Sequence, residues 1–500
     1  MNLKNLAKET FWYGFSTIFS RFLNYALTPY ITYKIATDAY GEMSTIYAII
    51  PFLNVLITHG METSFFNFIN LYPEKKQAIY NTASWSVIFM AIIFVFLLIN
   101  KKDVFENLLG LNQTGFIILL SIIISTDAIA AIPFCKLRQE SRPIRYTIIK
   151  TCGILTNIFF IYYFLSIVPS KIQLDKTYWL AHFPPQKYSV AYILWANIAQ
   201  NFVVLLLLFP SIRNLKFRID WQIWGKMLKY SWPLIIVGLG GMVNETFDRI
   251  MLRWLAPTKN DVSAIAQVGI YSANYKLAML ITFTVQAFKM GAEPFFFKES
   301  RFTNAKIKYA QVLKYFVIIL LIMFLFVIAY LPLWKYFIAP KMWIGLGVVP
   351  VLLLANMCLG VYYNLSVWFK LSQQTIYGIW ITLIGCAITI LINYFFIPYF
   401  GFMACAYATF FCYASMMLIC WKWGQKHYPI PYPMKKIISY SILAMVCFGF
   451  IQMFTYFVAE TWYQLLFNSL ILFGFILWAW FVESKLTPKD FTVSKVDKIF

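Results

Sequence analysis

The sequence predicts an all-α integral membrane protein. It should have about fourteen transmembrane helices, set as two six-helix lobes around a central cavity plus two C-terminal helices. Three observations predict this. The chain is 61% hydrophobic and only 12% charged, whereas soluble domains carry about 25% charged residues to cover their surfaces. Apolar segments of bilayer-spanning length recur from end to end. Two segments at corresponding places in the two halves share a residue pattern.

A spanning helix needs about 20 mainly apolar residues. That ruler places spans at 10–33, 43–69, 80–100, 116–136, 146–168, 188–210, 231–255, 268–296, 309–333, 344–369, 375–397, 402–421, 436–458 and 463–482. The opening MNLKNLAKET is too polar for a secretory signal and no small-residue cleavage site follows. Leu3, Leu6, Ala7, Thr10 and Phe11 share one helical face, which suits an interfacial lead-in to the first span. The longest connections, 169–187 and 211–230, are too short to fold separately, so the function is expected inside the bilayer.

The net charge of +22 is spread through short loops rather than gathered on one surface. It therefore points to membrane topology and not to nucleic acid. With the N-terminus inside, twenty-six Lys and Arg fall in inside segments and ten in outside ones. Cytoplasmic loops carry the excess of such residues, so both termini are expected in the cytoplasm. The eight cysteines sit mostly within apolar runs, form no CxxC, and read as buried free thiols. With three histidines there is no metal-ligand set and no cofactor is expected.

The shared pattern is YGEMSTIY (40–47) against VGIYSANY (268–275), and GMETSFF (60–66) against GAEPFFF (291–297). Gly41 and Tyr47 are six apart, as are Gly269 and Tyr275. Each pair begins near the second helix of a six-span set. The expected organisation is an N-terminal lobe at 1–215, a C-terminal lobe at 216–425, and a last helix pair with a tail at 426–500. Six spans is an even number, so both copies start from the same side, as in transporters whose parallel repeats relate through an axis along the membrane normal.

Charges inside the spans mark the candidate site. One charge at the bilayer centre costs roughly 2.5–3.5 kcal/mol on insertion scales and must face protein or water. Yet GLGGMVNETFDRIMLRWL (238–255) holds Glu245, Asp248 and Arg249 within five residues. On a helix Glu245 and Arg249 are four apart and suited to a local pair, with Asp248 in the same arc. Arg21, Glu62, Asp127, Lys276, Lys289 and Glu293 add further charges, all in spans 1, 2, 4 and 8. Their concentration in the early helices of both halves points to a shared polar cavity. Structural ion pairs between packed helices are the alternative.

The runs NETFDRIML (244–252), VGIYSANYKLA (268–278) and QAFKMGAEPFFF (286–297) resemble bacterial polysaccharide exporters. The resemblance is greatest to Wzx-type flippases of lipid-linked oligosaccharides, within the multidrug/oligosaccharidyl-lipid/polysaccharide exporter superfamily. It implies an inner-membrane carrier that moves undecaprenyl-diphosphate-linked oligosaccharide, such as an O-antigen, capsule or exopolysaccharide repeat unit, to the periplasmic leaflet. It also implies the polymerase and glycosyltransferases of the same pathway as partners. In that reading Arg21, Arg249, Lys276 and Lys289 would hold the diphosphate. Glu62, Asp127, Glu245, Asp248 and Glu293 would bind sugar or couple transport to H⁺ or Na⁺. A lipid II flippase and a multidrug exporter are rivals with the same fold, and the latter would favour an acidic cavity. A glycosyltransferase or polymerase is the rival of another class. The chain holds no Asp-x-Asp and no large outside loop, so no enzymatic activity is expected. The topology is checked by reporter fusions after Leu180 and Asp220, which should report opposite sides, outside and inside.

Overall fold

The computed structural model of the chain describes residues 19, 21–110, 115–175, 177, 179–182, 185–258, 262–300 and 302–484. Helices dominate because a bilayer leaves each backbone N–H and C=O to be satisfied within its own segment. Helix α1 occupies residues 21–34. Next come α2 (Thr37–Thr58), α3 (Met61–Leu71), α4 (Lys76–Asn100), α5 (Lys102–Leu109), α6 (Phe116–Gln139), α7 (Pro143–Tyr162), α8 (Val168–Leu174) and α9 (Pro185–Ile212). The second half contains α10 (Trp221–Leu255), α11 (Ala264–Glu299), α12 (Ala305–Ala329), α13 (Leu331–Trp334), α14 (Val348–Leu365), α15 (Val367–Leu371), α16 (Ile376–Phe400) and α17 (Phe402–His427). The last pair is α18 (Met434–Phe457) and α19 (Thr461–Ser484).

Among the described residues, eleven helical stretches are long and apolar enough to cross a membrane. The chain is thus a multi-pass membrane protein of the predicted class. The longest helices, α10 and α11, have 35 and 36 residues. They fall outside those eleven because their polar and charged residues lower the mean hydropathy. The predicted lead-in at residues 3–11 lies outside the described residues.

Some predicted spans are not single helices: 309–333 runs through α12 into α13, and 344–369 through α14 into α15. The run 43–69 breaks between α2 and α3, where His59 and Gly60 take left-handed conformations with φ of 35° and 72°. The His59 ring ties this break down: Nδ1 pairs with the Ile57 carbonyl at 2.7 Å and Nε2 with Ser86 Oγ at 2.8 Å. Gly291, the supposed counterpart of Gly60, lies inside continuous α11. The second half of the sequence repeat therefore has no equivalent backbone in the two places.

Within the first half α6 packs on α4 and α9, and α9 on α7. Within the second, α17 packs on α14 and α16, α16 on α10, and α14 on α11. The two sets meet where α2 packs along α11 and α10. We call the end of the bundle holding the starts of α2 and α11 the upper end. There the helices approach to backbone contact. A Cβ on Gly41 would overlap the Ile265 carbonyl oxygen, and one on Gly269 would overlap that of Thr37 and lie 3.0 Å from Gly41 N. Small residues permit such close helix packing. Around this crossing, Ser263 Oγ donates to Asp38 Oδ1 at 2.6 Å, Tyr33 Oη donates to the Tyr336 carbonyl at 3.2 Å, and Lys341 Nζ donates to the Ile35 carbonyl.

The appended pair α18–α19 docks on α12 at both of its ends. Asn468 Nδ2 donates to the Ala329 carbonyl at 3.0 Å, and Tyr330 Oη pairs with Ser469 Oγ at 2.9 Å. At the other end buried Lys314 pairs with Glu483, which also accepts from Tyr440 Oη at 2.7 Å.

The glycine crossing yields a direct contrast. Gly41→Ala or Gly269→Ala forces a side chain into a backbone that cannot move aside, and overpacking of this kind costs about 1–3 kcal/mol. Gly449→Ala, where an added Cβ meets nothing within 4 Å, should be neutral or slightly stabilising. Melting of the detergent-purified variants checks this: the first two should fall in Tm and the third should not.

Candidate functional site

The paired helices carry more of the repeat than glycine and tyrosine. Ser44 stands three residues after Gly41 and Ser272 three after Gly269, so both runs read G-x-x-S-x-x-Y. Below the glycine crossing, Ser44, Tyr47, Ser272 and Tyr275 all line one cavity of about 420 Å³. Its charged lining is Glu245 and Arg249 from α10 and Lys276 from α11.

Two further chambers adjoin it. One, of about 550 Å³, lies among second-half helices and α1 and carries Arg21, Lys289 and, again, Glu245. The other, of about 450 Å³, lies among first-half helices and carries Glu62, Asp127, Arg138 and Lys150. Asn24 and Gln200 line both this chamber and the central cavity. The three spaces thus share wall residues, Asn24 and Gln200 on one side and Glu245 on the other, and they gather seven of the nine sequence-selected residues.

The remaining two are placed differently. The Asp248 side chain is buried away from the cavity. Its Oδ2 accepts from Tyr271 Oη at 2.6 Å, and its Oδ1 accepts from Arg249 backbone N at 2.8 Å. The Glu293 side chain lies outside the described residues.

The expected Glu245–Arg249 ion pair is also corrected. Arg249 Nη1 donates to the Glu245 backbone carbonyl at 3.0 Å, and its charge partner is Asp248 at 3.3 Å. The i,i+4 rule weighs only neighbours on one helix surface. Here Tyr271 on α11 draws the Asp248 carboxylate inward, and the guanidinium follows it. The Arg249 guanidinium then lies 4.7 Å from the Tyr275 ring centre and 5.8 Å from that of Tyr271. Such cation–π contacts contribute about 0.5–2 kcal/mol and fix the plane of the fork.

That fork is only partly used. Its bonds engage Nη1, and among the described residues Nε and Nη2 have no partner. Lys276 Nζ and the Arg21 guanidinium make no hydrogen bond or ion pair with the described residues. Lys289 Nζ lies 4.5 Å from the Tyr363 ring centre. Arg offers a planar bidentate fork to phosphate and Lys a point charge.

The chamber of the first half is arranged otherwise. Asn201 Nδ2 donates to Asp127 Oδ1 at 2.8 Å, and Cys135 Sγ donates to Glu62 Oε2 at 3.7 Å. Lys150 Nζ and the Arg138 guanidinium lie over the rings of Phe134 and Phe66, at 4.5 and 5.1 Å. Sequence reasoning missed Arg138 and Lys150 as cavity residues. Arg138 belonged to a loop tally that α6 in fact absorbs. Lys150 falls early in a predicted span, and its position there was the available signal. Across the three spaces the described charged lining is six cations, Arg21, Arg138, Lys150, Arg249, Lys276 and Lys289, against three carboxylates, Glu62, Asp127 and Glu245.

Comparison with known proteins agrees with this architecture. Residues 6–299 match the family described as polysaccharide biosynthesis protein, and the chain belongs to that family. Among curated protein sequences none matches. The fold is similar to that of the lipid II flippase MurJ in an inward closed conformation, with TM-score 0.70 and 14% identity over 95% of this chain and 99% of that one. It is also similar to a multidrug resistance MATE family transporter of the MOP superfamily. The inward-facing form gives TM-score 0.55 and 13% identity over 83% of this chain and 94% of the other. The outward-facing form gives 0.53 and 12% over 84% and 95%. The resemblance to Wzx-type flippases read from the sequence is borne out in family and fold.

The Asp248 arrangement can be tested apart from transport. Asp248→Leu strands the Arg249 charge, and breaking a buried pair from one side costs about 3–5 kcal/mol. Tyr271→Phe removes only one bond to the carboxylate, a loss of about 1–3 kcal/mol. Thermal melting should rank the two in that order.

Proposed function

We propose that the chain is a flippase that carries an undecaprenyl-diphosphate-linked oligosaccharide from the cytoplasmic to the periplasmic leaflet of a bacterial inner membrane. The observation that carries this reading is the set of cavity donors that meet no counter-ion among the described residues: Lys276, Arg21 and the open side of the Arg249 fork. A doubly anionic diphosphate does not cross hydrocarbon unaided. Fixed cations in a water-filled cleft between two packed halves lower that barrier by replacing its hydration. The excess of cations over carboxylates disfavours a cationic drug as cargo.

In this reading the upper end is periplasmic, both termini are cytoplasmic, and the Gly41–Gly269 crossing closes the outer exit. Alternating access parts that crossing while the opposite end closes. Glu62, Asp127 and Glu245 line the water-accessible space, so H⁺ or Na⁺ coupling falls to one of them. The polymerase and glycosyltransferases of the same pathway supply and consume the cargo. A second reading, lipid II as the cargo, is supported by the similarity to MurJ; it uses the same diphosphate chemistry on a different headgroup.

Deletion of the gene separates the two cargoes by which lipid-linked glycan accumulates on the cytoplasmic leaflet. Within the protein, Arg249→Ala, which also leaves Asp248 without its charge partner, should cut export per folded molecule roughly 10–100-fold, the size of a lost charge-assisted hydrogen bond or two. Arg249→Lys should rescue only part, since it restores the charge without the fork. Full export by Arg249→Ala would leave this arginine a purely structural role.

A further inference from the structure

The charges of the three adjoining spaces are not shared evenly. The central cavity and the second-half chamber present Arg21, Lys276, Lys289 and the open side of the Arg249 fork; Glu245 lines both, and Asp248 pairs with Arg249 at 3.3 Å. The first-half chamber holds Arg138 and Lys150 against Glu62 and Asp127. A diphosphate gains from the first region. It gains little in the second, where each cation is offset by a carboxylate that would repel phosphate.

The first-half chamber is built for another chemistry. Its wall carries four side-chain amides, Asn24, Asn54, Gln200 and Asn201. An amide offers both a donor and an acceptor, and a carboxylate accepts from two sides. That mixture suits hydroxyl and acetamido groups, which donate and accept at once. Asn54 Oδ1 is buried with no hydrogen-bond partner among the described residues, and a buried acceptor left unmade costs about 1–3 kcal/mol. The Gln200 amide likewise makes no hydrogen bond with a described residue, and it stands on the border with the central cavity. Aromatic faces are present too, in Phe134 and Tyr146, and sugar rings pack against such faces.

We propose that the first-half chamber seats the diphosphate-proximal sugar of the cargo, an uncharged hydroxylated or acetamido sugar, while Arg249 and Lys276 hold the diphosphate at the chamber's mouth. This rests on the flippase reading and adds to it a division of labour between the halves. The carrier then recognises cargo twice: by charge, common to every diphosphate lipid, and by hydrogen bonds, specific to the glycan. A site made to hydrogen-bond a ligand rejects one lacking those groups, because its own polar atoms are left unpaired.

The test is a binding titration of the full chain in nanodiscs, read by tryptophan fluorescence. The probes are bare undecaprenyl diphosphate and undecaprenyl diphosphates carrying N-acetylglucosamine, N-acetylgalactosamine, glucose or galactose. The native chain should bind at least one sugar-bearing lipid about tenfold more tightly than the bare one, as two or three neutral hydrogen bonds imply. Asn54→Leu combined with Gln200→Leu should abolish that preference and keep the affinity for the bare lipid, which also shows that the variant is folded. Arg249→Ala should weaken all five probes alike. The proposal is overturned if the native chain prefers no sugar-bearing lipid, if the double variant retains the preference, or if it loses the bare lipid equally. If the native chain binds none of the five, the flippase reading itself fails.

Discussion

Everything in the cavity is registered by the backbone contact between α2 and α11. Gly41 and Gly269 remove the side chains that would hold the helices apart. Once they touch, the residues three and six positions further on must face each other across the same space. Ser44 and Tyr47 then answer Ser272 and Tyr275, and Lys276 stands beside the Arg249 fork on α10. The contact is steric rather than energetic in origin. In a bilayer helices gain little from burying apolar surface against each other, since lipid tails are as apolar as leucine, and close packing is what holds them.

The charges obey the same economy of position. A membrane helix tolerates a charge where it meets a partner or water, and the structure uses both solutions. Lys314 and Glu483 are paired and buried, with Tyr440 on the second carboxylate oxygen. That set ties α18 and α19 to α12, remote from the cavity. Asp248 is likewise spent internally, on Tyr271 and the Arg249 backbone. Lys276, Arg21 and the free side of the Arg249 fork, which meet no partner among the described residues, line the cavities. Structural and cavity charges are thus distinguished by geometry, although the sequence presents both as charged letters in apolar runs.

This marks how far the sequence could be read. The class of fold was legible because hydrophobic segments of spanning length admit few other structures. The cavity was largely legible as well, since a charge in a span is costly enough to advertise itself, and Arg21, Arg249, Lys276 and Lys289 do line it. Pairing was not legible. Glu245 and Arg249 satisfy the helix-surface rule, yet a tyrosine on the next helix decides which carboxylate the arginine meets. Nor was the first-half chamber, whose Asn24, Asn54, Gln200 and Asn201 are common residues with no cost high enough to single them out. The Gly-x-Glu match at 60–62 and 291–293 was legible but misleading. Seven residues of similar letters fix neither a helix break nor its absence: His59 and its bonds to Ile57 and Ser86 stabilise the break after α2.

A fold of this kind does not name its cargo. The same architecture is similar to a lipid II flippase and to multidrug transporters. What separates such proteins must lie in side chains placed on a common frame. Here the decisive quantity is the local balance of charge, not the net charge of the chain. Most of the +22 is spread along the connections between the predicted spans, where such charge is expected to bear on orientation rather than cargo. Among the described residues six of those cations line the three spaces, and two of the six share a chamber with two carboxylates. Of the remaining four, Arg249 pairs with Asp248, and Glu245 is the one described carboxylate in the walls they share. An anion drawn in would settle on that side of α10, and whatever it carries would extend toward the amides on the other. On the proposed reading, polarity along the cavity, set by which helix presents each residue, is the property that would suit this fold to a two-part cargo.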